Sequence, residues 1–350
     1  LLIGHRAASA PISIQQSEIS IPMSLSAIIL AAGKSTRMKS KRAKPLHDVC
    51  GRPMLAWILD ACWAAGCTKA FVVVGYQKNE VIARFAGDKR VMFVEQTEQL
   101  GTGHAVKTAS PHLQDVAGDV FVLCGDTPLI RAENLRSILQ AHREDKSAMT
   151  LGTAVIDDPT GYGRIVRDDA GEFVSIVEQL DCTPEQVAIR EVNPSFYVAQ
   201  VEPLLSALGR LKNDNKKCEY YFTDVPGILR ADGMKVAAVQ VLTAEDIVAP
   251  NTRAQLMEAD AVMQDRIQRT LREAGVSIPS PDNTYIEAGV TAGTDTAILP
   301  FSYVGAGSTI GADCTIGPFA VLPPNSIVPD GATVAGNVSP ETASAIAERS

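Results

Sequence analysis

The sequence predicts an α/β domain built on a mixed, mostly parallel sheet, followed by a short left-handed parallel β-helix of hexapeptide repeats. Three observations carry this. Apolar, β-branched runs alternate with helical segments from Ser26 to about Val248. A Pro-rich stretch, "SIPSPDN", then breaks the pattern. Beyond it an aliphatic residue returns at every sixth position.

The first twenty-two residues lack a long apolar core, do not read as a signal peptide, and precede Met23. Residues 1–24 are therefore expected to be a disordered leader. Strands follow at "SAIIL", "AFVVVGY", "VMFVEQ", "DVFVLCGD" and "AMTLGTAV". Their continuous apolar character suits a parallel sheet covered on both faces. "MLAWILDACWAAGC" and "AENLRSILQAHRED" have apolar residues at helical spacing. Ligands in such folds bind beyond the carboxyl ends of the strands. These elements make residues 25–250 the first domain.

Residues 251–283 read as a linking helix and linker. Leu256, Val262, Met263, Ile267 and Leu271 share one helical face, and Gly275 suits its stop. From Ile286 the sixfold count runs through Ala292, Ile298, Val304, Ile310, Ile316, Leu322, Val328 and Val334. That period is the mark of a parallel β-helix, with the repeating residue pointing inward. Three hexads per coil give about three coils over residues 284–339, ahead of a polar tail at 340–350.

A chain of 350 residues with 46% hydrophobic content has room for two domains. Its net charge of −8 argues against a general nucleic-acid partner. Seven scattered cysteines with no CxxC pair suggest free thiols in a reducing cytoplasm. No window approaches the ~18–20 apolar residues of a membrane span.

Against that acidic background, "AIILAAGKSTRMKSKRAKP" (residues 27–45) sets six basic residues in eleven positions just after a strand. The "GKST" imitates a P-loop. Counting back five from Gly33, however, lands on Ile28 inside the strand, so the spacing fails. What remains is a turn without bulk, Ala31-Ala32-Gly33, where Gly33 permits unusual torsions and backbone N–H groups approach a ligand. Lys34, Arg37, Lys39, Lys41, Arg42 and Lys44 follow. A solvated loop is the bland reading. A polyphosphate ligand explains why the charge sits at a strand's carboxyl end.

"LAAGKSTRM…AKPLHDVCGRPM" resembles the signature of sugar-phosphate nucleotidylyltransferases, and "EQTEQLGTGHA" resembles the uracil-reading loop of the bacterial N-acetylglucosamine-1-phosphate uridylyltransferase family. The resemblance runs from Ser26 to about Gly336, although the β-helix matches only its beginning. It implies a Rossmann-like nucleotidyltransferase domain in which Leu30, Ala31, Ala32, Gly33, Gln96, Gly101 and Thr102 hold the nucleotide. Gln96 would read the base, since an amide offers a pyrimidine edge both donor and acceptor. Arg37 and Lys44 would be catalytic, and Asp126 and Asn251 would bind Mg2+. Gly163, Glu178, Asn193, Glu219, Tyr220 and Thr223 would hold the sugar. Ordinary readings stand beside these. Asp126 or Asp224 suits a helix N-cap, Glu178 a solvated strand face, and Asn193-Pro194 a turn.

The chain departs from the family pattern at Ser35 for Gly, Lys44-Pro45 for the inverted pair, Cys124 for Tyr, Pro194-Ser195 for Thr-Gly, and Pro250. The implied reaction joins UTP and N-acetylglucosamine 1-phosphate into UDP-N-acetylglucosamine and pyrophosphate, a cell-wall precursor step. Its nucleophile is already an anion, so His47, His104 and His112 are expected to be structural or pocket-lining. The short β-helix is expected to serve capping and homotrimer formation, without acetyl transfer. Two alternatives remain: another pair of substrates, such as dTTP and glucose 1-phosphate, or a non-catalytic regulatory homologue.

Overall fold

The computed structural model describes residues 24–34, 36–114 and 116–336. The expected leader, the polar tail and the Ser35 departure lie outside these, apart from Ser24, which opens the first strand. In chain order the first domain contains β1 (Ser24–Ala31), β2 (Asp48–Val49), β3 (Arg52–Pro53), α1 (Met54–Ala64), β4 (Lys69–Val74), α2 (Lys78–Phe85), β5 (Val91–Glu95), α3 (Thr102–Ala109), β6 (Gly118–Cys124) and α4 (Ala132–Glu144). It continues through β7 (Met149–Val155), β8 (Gly163–Arg167), β9 (Phe173–Val177), α5 (Pro184–Val187), β10 (Glu191–Gln200), α6 (Val201–Leu208), α7 (Val225–Ala231) and β11 (Val236–Gln240).

The central sheet runs β11-β7-β10-β6-β1-β4-β5, with β8 and β9 branching from β10. Strand β1 pairs in parallel with both β4 and β6. Period-2 alternation divides its side chains between two cores. Ala27 and Ile29 face one core, shared with Leu55 of α1 and Leu135 of α4. Ile28 faces the other, with Val106 of α3 and Leu204 of α6. Both faces are thus covered, as continuous apolar strands require.

Within the main strand order β10 is inserted antiparallel between β6 and β7, and the β8–β9 branch is antiparallel as well. Its pairing with β7 slips between Val192 and Phe196, so that Asn193, Pro194 and Ser195 form a bulge. Pro194 is tolerated there because a bulge residue need not donate to the ladder.

Helix α8 (Arg253–Glu273) joins the two units. Its first half packs Leu256, Ala259 and Met263 against Met38, Met54 and Leu129 of the α/β domain. Its end packs Leu271 into the β-helix core. The predicted apolar stripe therefore serves two cores in succession. Between them lie two buried polar residues that the pattern did not single out. The Gln264 amide accepts from Ile286 N at 3.0 Å and donates to Ile286 O at 2.5 Å, as a neighbouring strand would. Gln268 donates to Thr284 O at 2.9 Å. The helix thereby closes the open edge of the first coil.

The β-helix is nine two-residue strands in three parallel sheets: β12 (Tyr285–Ile286), β13 (Thr291–Ala292), β14 (Ala297–Ile298), β15 (Tyr303–Val304), β16 (Thr309–Ile310), β17 (Thr315–Ile316), β18 (Val321–Leu322), β19 (Ile327–Val328) and β20 (Thr333–Val334). Ile286, Val304 and Leu322 stack in register, as do Ile298, Ile316 and Val334. Every residue of the sixfold count is the second of its strand, and all but Ala292 are buried. Among the described residues no helix is long and apolar enough to cross a membrane.

Candidate active site

The carboxyl ends of β1, β5 and β6 border a cleft of about 490 Å³. Leu30, Ala31, Ala32 and Gly33 line one side of it, and Gln96, Gly101 and Thr102 another. Glycines flank the β1 exit where strands approach most closely. A Cβ on Gly75 would stand 2.9 Å from Ala32 O, and one on Gly125 2.9 Å from Leu30 O. Gly33 itself differs from the expectation. It is not among the glycines with left-handed φ, and a Cβ there would meet nothing within 4 Å. Its smallness keeps the cleft open and does not serve a special torsion.

The base-side loop is held from behind. Gly101 has φ of +104° and lies against the backbone of Tyr220. Tyr220 N donates to Leu100 O and Gly103 N to Tyr220 O, both at 2.8 Å. Thr102 Oγ1 accepts from Phe222 N at 3.1 Å. Gln96 is buried, its amide nitrogen lying 3.2 Å from Gly101 O and 3.0 Å from His104 Nδ1. His104, which does not itself reach the cleft lining, thus orients the amide from behind. Sequence reasoning missed Gln99, whose amide spans the cleft to Ala32 O at 2.9 Å and ties the base loop to the phosphate turn.

The basic run divides by geometry. Arg42 turns away to Asp48 at 2.8 Å. Arg37 and Lys44 turn inward and share one acceptor, Asn251 Oδ1, at 2.9 and 2.8 Å. Lys44 also bonds the carboxylate of Asp126. Asp126 is not a helix cap, since α4 starts at Ala132 behind Arg131. Asn251 presents its oxygen because its Nδ2 donates to Ala249 O at 3.0 Å. Residues 44, 126 and 251 therefore converge on one point.

A buried anchor fixes the segment that carries Asn251. Asp246, wholly inaccessible to solvent, accepts from Arg131 Nε at 3.0 Å, Arg266 Nη2 at 3.1 Å, and Thr243 N and Oγ1 at 3.0 and 2.9 Å. Burial pushes its carboxyl upward, but the Arg131 and Thr243 hydrogen bonds outweigh that and hold it below the usual carboxylate range. Next to the cleft, His47 is buried with Nδ1 3.3 Å from Arg253 Nη1. Burial and then the Arg253 and Arg42 charges lower its basicity, so it stays neutral and seats the first turn of α8.

The predicted sugar residues form a second group beside the cleft, of which Glu219 alone reaches its lining. Gly163 pairs with Asn193 across β8 and β10. Asn193 donates to Tyr197 Oη at 2.7 Å and accepts from Ser195 N at 3.2 Å, which is the turn its sequence suggested. Glu178 accepts from Thr223 Oγ1 at 3.0 Å, so it is not a solvated strand residue. Tyr220 acts through its backbone. Asp224 sits at the N-cap of α7, but its side chain caps nothing. Cys124 lines the cleft beside Asp126. Burial, with the Asp126 charge adding, pushes its thiol up to about 12.

Among the described residues no group of three or more His, Cys, Asp or Glu side chains is arranged to hold a metal. Two oxygens, one carboxylate and one amide, nevertheless converge where a cationic ammonium already sits. That donor set fits a hard divalent cation that takes its remaining ligands from phosphates and water.

Residues 27–218 match the family described as the MobA-like NTP transferase domain. This chain belongs to that family. The chain is also 44% identical over 276 residues to the bifunctional protein GlmU of Pelobacter propionicus, covering 79% of this chain and 60% of that protein. It is 45% identical over 274 residues to GlmU of Trichlorobacter lovleyi, covering 78% and 60%. With GlmU of Brevibacillus brevis the identity is 45% over 278 residues, covering 79% and 60%. The chain thus spans about 60% of the length of the curated relatives it matches.

Proposed function

We propose that this chain is a sugar-1-phosphate nucleotidylyltransferase that joins UTP and N-acetylglucosamine 1-phosphate. The observation that carries the reading is the convergence of Arg37, Lys44, Asp126 and Asn251 at one edge of a cleft lined also by Gln96, Gly101 and Thr102. The first group suits phosphates and the second suits a base.

The sugar-phosphate oxygen forms a bond to the α-phosphorus as the bond to the β-phosphate oxygen breaks, releasing pyrophosphate. The attacking oxygen is already anionic at neutral pH, so the residues here need only position and neutralise. Arg37 and Lys44 stabilise charge on the α-phosphate and the leaving group. Gln96, whose amide nitrogen is engaged by Gly101 O and His104, offers the uracil its amide oxygen. Glu178, Asn193 and Glu219 supply polar groups for the sugar and its acetamido arm. Asp126 and Asn251 are the residues that would hold Mg2+, which when bound supplies charge neutralisation and phosphate alignment.

Three further assignments belong to this reading. The chain works in the cytoplasm, which its seven free cysteines support. Residues 25–250 act as the catalytic domain. The β-helix forms a homotrimer, supported by the stacked Phe301 and Phe319 on its surface, 57% and 65% exposed. Pyrophosphate release with UTP or dTTP, against N-acetylglucosamine, glucose and N-acetylgalactosamine 1-phosphates, tests the substrates. A preference for glucose 1-phosphate with dTTP would overturn them. Asp126→Asn is expected to lower turnover at least a hundredfold with the fold intact. Wild-type turnover in that variant would remove the metal assignment.

A further inference from the structure

The Lys44 ammonium lies 2.8 Å from Asn251 Oδ1 and hydrogen-bonds Asp126 Oδ2, so it stands between the two oxygens assigned to the metal. A magnesium-sized ion binding both oxygens at about 2.1 Å would need nearly the same point. Two cations cannot share it. The backbone beneath Lys44 is fixed, with Ala43, Pro45 and Leu46 buried on either side. The side chain above it is a flexible four-carbon stem. Phosphate oxygens would be available nearby, because Lys44 also lines the cleft together with Ala32, Gly33, Lys34 and Thr36.

We propose that Lys44 is a placeholder for the metal. Its ammonium neutralises Asp126 until a nucleotide arrives, then moves onto the phosphates and surrenders both oxygens to the divalent cation. The inference rests on the reading of Asp126 and Asn251 as the metal ligands. Charge balances in both states. The ammonium exchanges a carboxylate and an amide for phosphate oxygens, and the metal takes the partners it leaves. Metal and nucleotide binding become coupled through one side chain, and the coupling is reciprocal. Arg37 reaches the same amide oxygen from the exposed side and cannot replace Lys44 in this role, since it makes no bond to Asp126.

The test is Mn2+ binding to the full chain, followed by electron paramagnetic resonance, with no nucleotide present. Lys44→Met and Lys44→Gln are expected to bind Mn2+ at least tenfold more tightly than wild type. Lys44→Arg, which keeps a cation, should bind as weakly as wild type. Adding Asp126→Asn to Lys44→Met should abolish the gain. Thermal unfolding identifies which neutral variants are native. Affinities within twofold of wild type in a folded neutral variant overturn the placeholder. A separate arm measures protein-bound Mn2+ with saturating UTP in wild type and Asp126→Asn. Equal binding there removes the metal site itself. Unequal binding, with flat nucleotide-free affinities in the Lys44 variants, removes only the placeholder.

Discussion

Two glycines that look alike in the sequence should respond in opposite ways to alanine. Gly101 has φ of +104°, and an added Cβ would stand 2.6 Å from Tyr220 O and 3.0 Å from Tyr220 N. Side-chain carbons essentially never approach closer than 3.0 Å, so the Tyr220 backbone must retreat by at least the difference between 2.6 and 3.0 Å. That backbone makes two 2.8 Å hydrogen bonds to the base loop, through Leu100 O and Gly103 N. Left-handed strain costs about 1–3 kcal/mol, and weakening a hydrogen bond about 1 kcal/mol. Gly101→Ala should therefore lose on the order of 2–4 kcal/mol of domain stability. It should also raise the KM for UTP, because Gln96 donates to Gly101 O at 3.2 Å. Gly33→Ala meets nothing within 4 Å and carries no left-handed φ, so its stability should be unchanged or slightly higher. Because Gly33 lines the cleft, its new methyl should take up ligand space, and UTP binding should weaken about tenfold or more, in line with steric displacement of a bound group. Urea unfolding and isothermal titration with UTP measure both effects. Equal destabilisation by the two substitutions, or unchanged UTP binding in Gly33→Ala, would refute the reasoning.

Asp246→Asn leaves Arg131 and Arg266 without their shared carboxylate. Discounted for the exposure of Arg131, the loss should be about 2–4 kcal/mol, read by urea unfolding. Asp246 and Glu191 are both held below the ordinary carboxylate range, because hydrogen bonds from Arg131 and from Arg167 outweigh burial. Their stabilisation is complete above the unfolded carboxylate pKa of about 4 and is lost as pH falls through the lower folded values. An acid-unfolding titration should show wild type losing stability below about pH 4, and Asp246→Asn should flatten that slope. Gln264→Ala strands both backbone groups of Ile286. It should cost about 2–4 kcal/mol and raise amide exchange at the first β-helix coil, whereas Gln264→Asn is too short to restore both bonds. Alkylation by iodoacetamide at pH 7.5 should label exposed Cys218 faster than half-buried Cys124, whose thiol is pushed up to about 12. Rapid labelling of Cys124 in folded protein would contradict that environment.

Much of the candidate site was legible because its residues sit in short segments with strong local signals. The "LAAG" turn, the Gln96 loop and the Gly125-Asp126 exit each follow an apolar strand. The parallel sheet then brings those ends together, as β1 pairs with both β4 and β6. Gln99 was not legible, because a polar loop residue carries no period and its partner, Ala32 O, is a backbone atom. Asp246 was hidden in the same way, in an ordinary-looking "TAEDIV". The sugar group was legible by resemblance, whereas its bonds, Glu178 to Thr223 and Asn193 to Tyr197, were not.

By itself the sequence determined the strand–helix alternation, the sixfold register of the β-helix and the failure of the P-loop spacing. All three depend on residues a few positions apart, where side-chain direction follows backbone period. Tertiary structure alone decided where the polar groups found partners. Lys44 meets an asparagine 207 positions away. Gln264 turns from a helix face to act as a strand edge, and Pro194 becomes harmless in a bulge where β10 slips against β7. Apolar burial is non-directional and shows in a pattern. A hydrogen bond requires two particular atoms within about 3 Å, and only docking of distant segments brings them there.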